Sequence, residues 1–272
     1  MVSPRAVLWS VINWILILGI LAVNILSVAL PMNGRTPGQI TDSFHLLFDP
    51  AGYVFSIWGL IYLGLLAFGV YQVLPSQQFN PRIRATDGLF AATCIANAGW
   101  LFAWHYGLYI LSMVAILVLL FALSAIYLFM RGREYGRTMP DWTARAFVLA
   151  PFSLYLAWIC VSAIANTAAL LTWAGLRETG LSAEGWAIVF CFVTAILSVF
   201  MSLRHREVVF PAVVVWALAG EIVRQSQVRE IVIGCAISIA VTVLGAVAGL
   251  VLRRPEPAWS LDAQPDARPV DN

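Results

Sequence analysis

Lysine is missing altogether: all sixteen basic residues of the 272-residue chain are arginine. Charge of either sign is scarce, at 11% of residues with a net of +2. No basic cluster is dense enough to follow a phosphate backbone, so nucleic acid is excluded as a partner. Cysteine is sparse and scattered. Cys94, Cys160, Cys191 and Cys235 each sit in an apolar run with no CxxC or Cys/His spacing, which makes them packing residues rather than disulfides or metal ligands. The motifs HExxH and GxSxG are absent, as are paired carboxylates inside apolar runs, so no catalytic residue, metal or cofactor is assigned. Asp, Glu and Arg are also missing from the middle of every long apolar run. Ion-coupled carriers keep such a group despite its cost, so this absence argues against ion coupling. His105 is the titratable side chain nearest a membrane region, and its place at a break between two runs assigns it an interfacial role.

What the chain does have is apolar length. Hydrophobic residues make up 61% and mean hydropathy is +0.86, values of an integral membrane protein with little soluble part. About 20 apolar residues cross a bilayer as a helix. The pattern predicts an all-α polytopic bundle with eight transmembrane helices, at roughly 8–30, 51–74, 87–109, 111–130, 145–173, 184–203, 208–223 and 230–252. The span at 208–223 is the weakest, being short with Glu221 and Arg224 at its end. The first run is too long for a signal-peptide core and lacks an A-x-A-like site, so it is read as a retained helix. An even number of spans places Arg5, Arg82, Arg84, Arg131, Arg133, Arg137, Arg145, Arg204, Arg206, Arg253, Arg254 and Arg268 on one side. Arg35, Arg177, Arg224 and Arg229 fall on the other. The positive-inside rule then puts both termini in the cytoplasm. Residues 253–272 have no periodic pattern and read as a disordered tail.

Between the first two spans lies a loop, 31–50, with turn signals at Pro31, Asn33-Gly34 and Pro37-Gly38. Thr41-Asp42-Ser43 is expected to cap a short amphipathic helix carrying Phe44, Leu46, Leu47 and Phe48, a lid on the outer membrane face. Proline followed by tryptophan recurs after Pro50, Pro151 and Pro211, too irregularly for the inverted repeats of a transporter.

Eleven tryptophans are the strongest positive signal. Several lie inside spans, where each offers a flat face and one N–H donor. Thr93, Asn97, Trp100 and Trp104 share one face of the third span, and Tyr155, Trp158, Ser162 and Asn166 share one face of the fifth. Phe55, Trp58 and Tyr62 align on the second, and Asn13 and Asn24, eleven residues apart, align on the first. Lipid offers an amide no partner, so these faces turn inward, either as interhelical glue with aromatic packing or as a ligand site. Periodicity alone favours glue.

Pro50-Ala-Gly-Tyr-Val-Phe-Ser-Ile-Trp58-Gly-Leu-Ile-Tyr62 resembles the second-helix signature of the TspO/MBR family, the tryptophan-rich sensory proteins related to the mitochondrial translocator protein. Asn97-Ala-Gly-Trp100 resembles the family's third-helix Asn-x-x-Trp, and Pro151, Trp158 and Asn166 its fifth-helix pattern. The chain departs from the family in having Tyr53 where Trp is usual and one residue fewer between Gly52 and Trp58. It also adds about three helices after residue 180. The expected organisation is therefore a TspO-like bundle at 1–180, further helices at 181–252 and the tail. The resemblance implies a long, bacterial-type relative in the inner membrane, with a cavity opening toward the first loop. It implies a tetrapyrrole such as protoporphyrin, or a sterol-like molecule, as ligand rather than cofactor.

The expected cavity gathers Tyr53, Phe55, Trp58, Tyr62, Asn97, Trp100, Trp104, Tyr155, Trp158 and Asn166. The expected partners are membrane lipid and a hydrophobic small molecule, with a homodimer as the assembly to test. A receptor or sensor for a flat hydrophobic ligand is the leading reading. A secondary transporter of a small metabolite and a structural membrane subunit are the alternatives.

Overall fold

The computed structural model describes residues 4–30, 32–131, 142–176 and 180–252. In chain order the helices are α1 (Pro4–Ala29), α2 (Pro37–Asp42), α3 (Ile57–Val73), α4 (Pro81–His105), α5 (Tyr109–Arg131), α6 (Trp142–Ala144), α7 (Ala150–Trp173), α8 (Ala183–His205), α9 (Val209–Arg224) and α10 (Arg229–Val251). Eight of these have 16 residues or more, and they match the eight predicted spans within a few residues. The protein is an all-helical polytopic bundle. Six segments are long and apolar enough to cross a membrane by length and composition. The other two are α4, diluted by its inward amides and charged first turns, and α9, which is short. A 16-residue helix spans about 24 Å. Yet α9 runs the depth of the bundle, because its first turn meets the end of α5 and its last turn meets the loop before α3. The tail 253–272 and the loop arginines Arg133, Arg137 and Arg177 lie outside the described residues, as does Pro31.

Local chemistry sets the breaks. Asn80 caps α4 by accepting from the Arg82 amide, with Pro81 in the first turn, where its missing N–H costs nothing. Gly107, at φ +70°, ends α4 and lets Leu108 N–H reach back to the Ala103 carbonyl. Arg206 adopts the left-handed conformation that ends α8. Glu207 then accepts from the amides of Val208 and Val209 at the start of α9. The same carboxylate receives Arg131 Nη2 at 2.8 Å and Tyr127 Oη at 2.9 Å, tying α9 to α5.

The loop corrects one expectation. The short helix is Pro37–Asp42, upstream of the predicted one, and Phe44–Phe48 is not helical. Thr36 is the N-cap in a capping box with Gln39, and Pro37 opens the helix. This combination outcompetes the Thr41-Asp42-Ser43 signal, because it satisfies two amides reciprocally. Leu46 and Phe48 are buried against the bundle.

Helices α1, α3, α4, α5 and α7 form one group around a shared core. Phe68, Phe90 and Phe152 join α3, α4 and α7 there, with centroids 5.0–6.0 Å apart. Helices α8, α9 and α10 form a second group, which docks through α9 onto α7.

Candidate functional site

The inward faces of α3, α4 and α7 meet in a column of rings. Tyr62 stacks on Trp58 at 5.7 Å, Trp58 on Trp100 at 6.2 Å, and Trp100 on Trp104 at 6.4 Å, with interplanar angles of 19°, 27° and 25°. Trp58 also meets Tyr155 and Trp158 edge-on at 6.0 and 6.3 Å, and Phe55 stands edge-on to Trp158 at 5.8 Å. The column therefore runs from mid-bundle to the loop. At its upper end Trp104 contacts Phe44 and Tyr109, and the loop lies over it.

Polar groups brace the column from behind. Asn97 donates to Tyr155 Oη at 2.9 Å and accepts from Asn24 at 3.0 Å. Asn166 Oδ1 accepts from Trp100 Nε1 at 3.2 Å and from Ser112 Oγ at 2.8 Å. One residue on each of α1, α4 and α7 is thus joined through Asn97, and α4, α5 and α7 are joined through Asn166. Interhelical bonds of this kind contribute about 0.6 kcal/mol each on average in a membrane. Both asparagines spend hydrogen-bonding capacity on helix contacts, the glue role that periodicity favours.

Two buried polar atoms beside Trp58 are different. Tyr62 Oη and Trp158 Nε1 have no hydrogen-bond partner among the described residues. An unmet buried donor costs about 1–3 kcal/mol, so a site that retains two of them is able to reward a ligand with a polar edge.

Nine of the ten predicted residues join this network: Phe55, Trp58, Tyr62, Asn97, Trp100, Trp104, Tyr155, Trp158 and Asn166. Tyr53 does not. It is 46% exposed and packs edge-on against Trp216 of α9 at 5.2 Å. The cause is the 3-10 turn Gly52–Ser56, whose residues do not follow the α-helical face of α3. His105 lies at the end of α4, buried, with Nδ1 2.7 Å from the Leu101 carbonyl oxygen.

Sequence reasoning missed a second polar cluster. Asn13 donates to Gln72 at 2.8 Å and to Asp87 at 3.4 Å, and Asp87 pairs with Arg84 at 3.3 Å. It ties α1, α3 and α4 near the opposite end of the bundle. The alignment of Asn13 with Asn24 was its one visible sign. Asp49 and Glu221, both buried, were missed entirely.

No curated protein and no solved structure matches the chain. A model of the TSPO-like protein family matches residues 10–248. The match begins within α1 and ends in the last turn of α10, so it takes in α8–α10 as well as the helices that carry the ring column. On that match the chain belongs to the TSPO-like protein family.

Proposed function

We propose that the protein is a membrane receptor or sensor that binds a flat hydrophobic ligand, of the porphyrin or sterol-like class, along the Tyr62–Trp58–Trp100–Trp104 column. The observation that carries this reading is the pair of unpartnered donors, Tyr62 Oη and Trp158 Nε1, set against stacked rings. The rings supply area and stacking, worth about 0.5–1.5 kcal/mol beyond burial. The two donors supply a handle for a carbonyl, carboxylate or ring nitrogen. The family match supports the class of protein, and the ligand is this reading's own claim.

Saturable quenching of tryptophan fluorescence by protoporphyrin is the expected result. Trp100→Ala should weaken binding roughly tenfold, since about 1.4 kcal/mol is a decade in affinity. If the purified protein shows no saturable quenching, the porphyrin reading fails.

The helical architecture supports an inner-membrane placement, since outer-membrane spans are typically barrels, and the arginine bias supports both termini in the cytoplasm. Alternation of the eight long helices puts Pro4 and Val251 at the same end of the bundle. Reporter fusions at residues 135 and 272 should both read cytoplasmic, and an external signal at either would overturn the assignment.

A further inference from the structure

The segment between α1 and α3, which includes α2, is a strap held from two sides. On the front, Phe44 packs on Trp104 and Tyr109, and Asn33 donates to the His105 carbonyl at 3.0 Å. On the back, the grip comes from α9. Arg224 pairs with Asp42 and, at 3.5 Å, with Asp49. Gln225 Nε2 donates to the Leu46 carbonyl at 3.4 Å, and Trp216 Nε1 to the Val54 carbonyl at 3.1 Å. Ala51 N–H donates to the Gly220 carbonyl at 3.1 Å. That last contact needs a bare backbone: a methyl at Gly220 would sit 2.1 Å from Val54 Cγ2.

Two buried carboxyls lie under this grip. Asp49 is 5% exposed and Glu221, one turn before the end of α9, is 1% exposed. Among the described residues neither oxygen of Glu221 closes a hydrogen bond of normal geometry, although the Asp49 main chain and the Gln225 side chain lie against it. Asp49 faces Arg224 and Asp42, and Glu221 faces Asp49 and the thiols of Cys235 on α10 and Cys191 on α8. One guanidinium therefore serves Asp42 and Asp49, and no cation acts on Glu221 among the described residues.

We infer that α9 is a proton-controlled latch on the strap, closed while Asp49 and Glu221 hold protons and released as they ionise. The physical reason is that an ionised carboxylate is costly away from water unless it is paired: Asp49 shares Arg224 with Asp42, and Glu221 has no cation against it among the described residues. Burial pushes Asp49 up to about 6, against the pull of Arg224 and with Asp42 adding to the push. On an open strap, in water, the same group returns to an ordinary carboxylate value of about 3.9. The closed state thus binds the proton more tightly. Its advantage is complete below the open-state value and is lost as pH rises through about 6. The latch opens on the alkaline side. Asp49 alone is able to change the closed-to-open ratio by roughly a hundredfold across that window. What the strap admits rests on the ligand reading above, but its motion does not.

The test therefore uses no ligand. Nitroxides are attached at Ser43→Cys on the strap and Gln227→Cys beyond α9, both exposed positions, with Cys160→Ala because the other native cysteines are buried. Pulsed electron–electron distance measurements are made in nanodiscs at pH 5 and pH 8. One short distance is expected at pH 5, with a longer second population at pH 8. Asp49→Asn combined with Glu221→Gln mimics the protonated pair and should keep the short distance at both. Arg224→Gln removes the cation that steadies ionised Asp49 in the closed state, so the longer population at pH 8 should grow. The latch is refuted if the wild-type distribution is the same at pH 5 and 8, if it lengthens on acidification, or if the double amide variant responds to pH as the wild type does.

Discussion

The two helix groups are built differently. In the group of α1, α3, α4, α5 and α7, helices meet through rings and through amides such as Asn97 and Asn166. In the pair α8 and α10, they meet through small residues. A methyl at Gly245 would lie 2.7 Å from Val199 Cγ2, and one at Gly249 would lie 2.3 Å from the Ser202 carbonyl oxygen. Cys191 and Cys235 face each other at 3.3 Å, and Ser202 returns its hydroxyl to its own helix at the Ser198 carbonyl. Without a hydrophobic force between helices in lipid, close van der Waals packing is one route to association and interhelical hydrogen bonding is the other. The α8–α10 pair relies on the first route, whereas the larger group adds the second to close contacts of its own, at Gly64 against Pro151 and Gly69 against Ile17. Backbone-to-backbone packing leaves little freedom, so α8 and α10 form a platform that steadies α9. The ring column retains unspent donors and rotatable side chains, which suits the ligand site proposed above.

This contrast can be broken by substitution. The largest effect is expected at Gly249→Ala, where the added methyl meets main chain that cannot rotate away. It should destabilise the protein by about 1–3 kcal/mol, read as a fall in thermal midpoint in detergent. A neutral result would mean that the α8–α10 contact is looser than its geometry. Next is Asn97→Ala, which removes the donor to the Tyr155 hydroxyl and leaves the Asn24 amide bonded to the Ile20 carbonyl of its own helix. A loss of about 1–2 kcal/mol without ligand is expected. If stability is unchanged and only ligand affinity falls, Asn97 belongs to the site rather than to the brace. Smallest is Gly99→Ala on the exposed side of α4, where a methyl meets nothing within 4 Å. It should be neutral or stabilise by up to about 1 kcal/mol through helix propensity, which makes it the control for Gly249.

Much of this was open to reading from the sequence, for a local reason. A helix repeats every 3.6 residues, so Asn97, Trp100 and Trp104 share a face wherever α4 ends up. Length and hydropathy likewise mark six of the long helices as membrane-spanning, because a membrane allows a hydrophobic segment few other structures. The family motifs lie within single helices and are legible on the same ground. Tyr53 fails this reasoning because a five-residue 3-10 turn precedes α3 and carries the ring out of register, to meet a tryptophan 163 positions later in the chain. The strap helix was misplaced because two capping signals compete within a few residues, and only their hydrogen bonds separate them. The burial of Asp49 and Glu221 had no local sign at all. Each stands near an end of its helix or loop, where a carboxylate is ordinarily solvated. What removes the water is the docking of α9 against a segment more than 160 residues away, a contact that chain spacing does not encode and only the packed bundle creates.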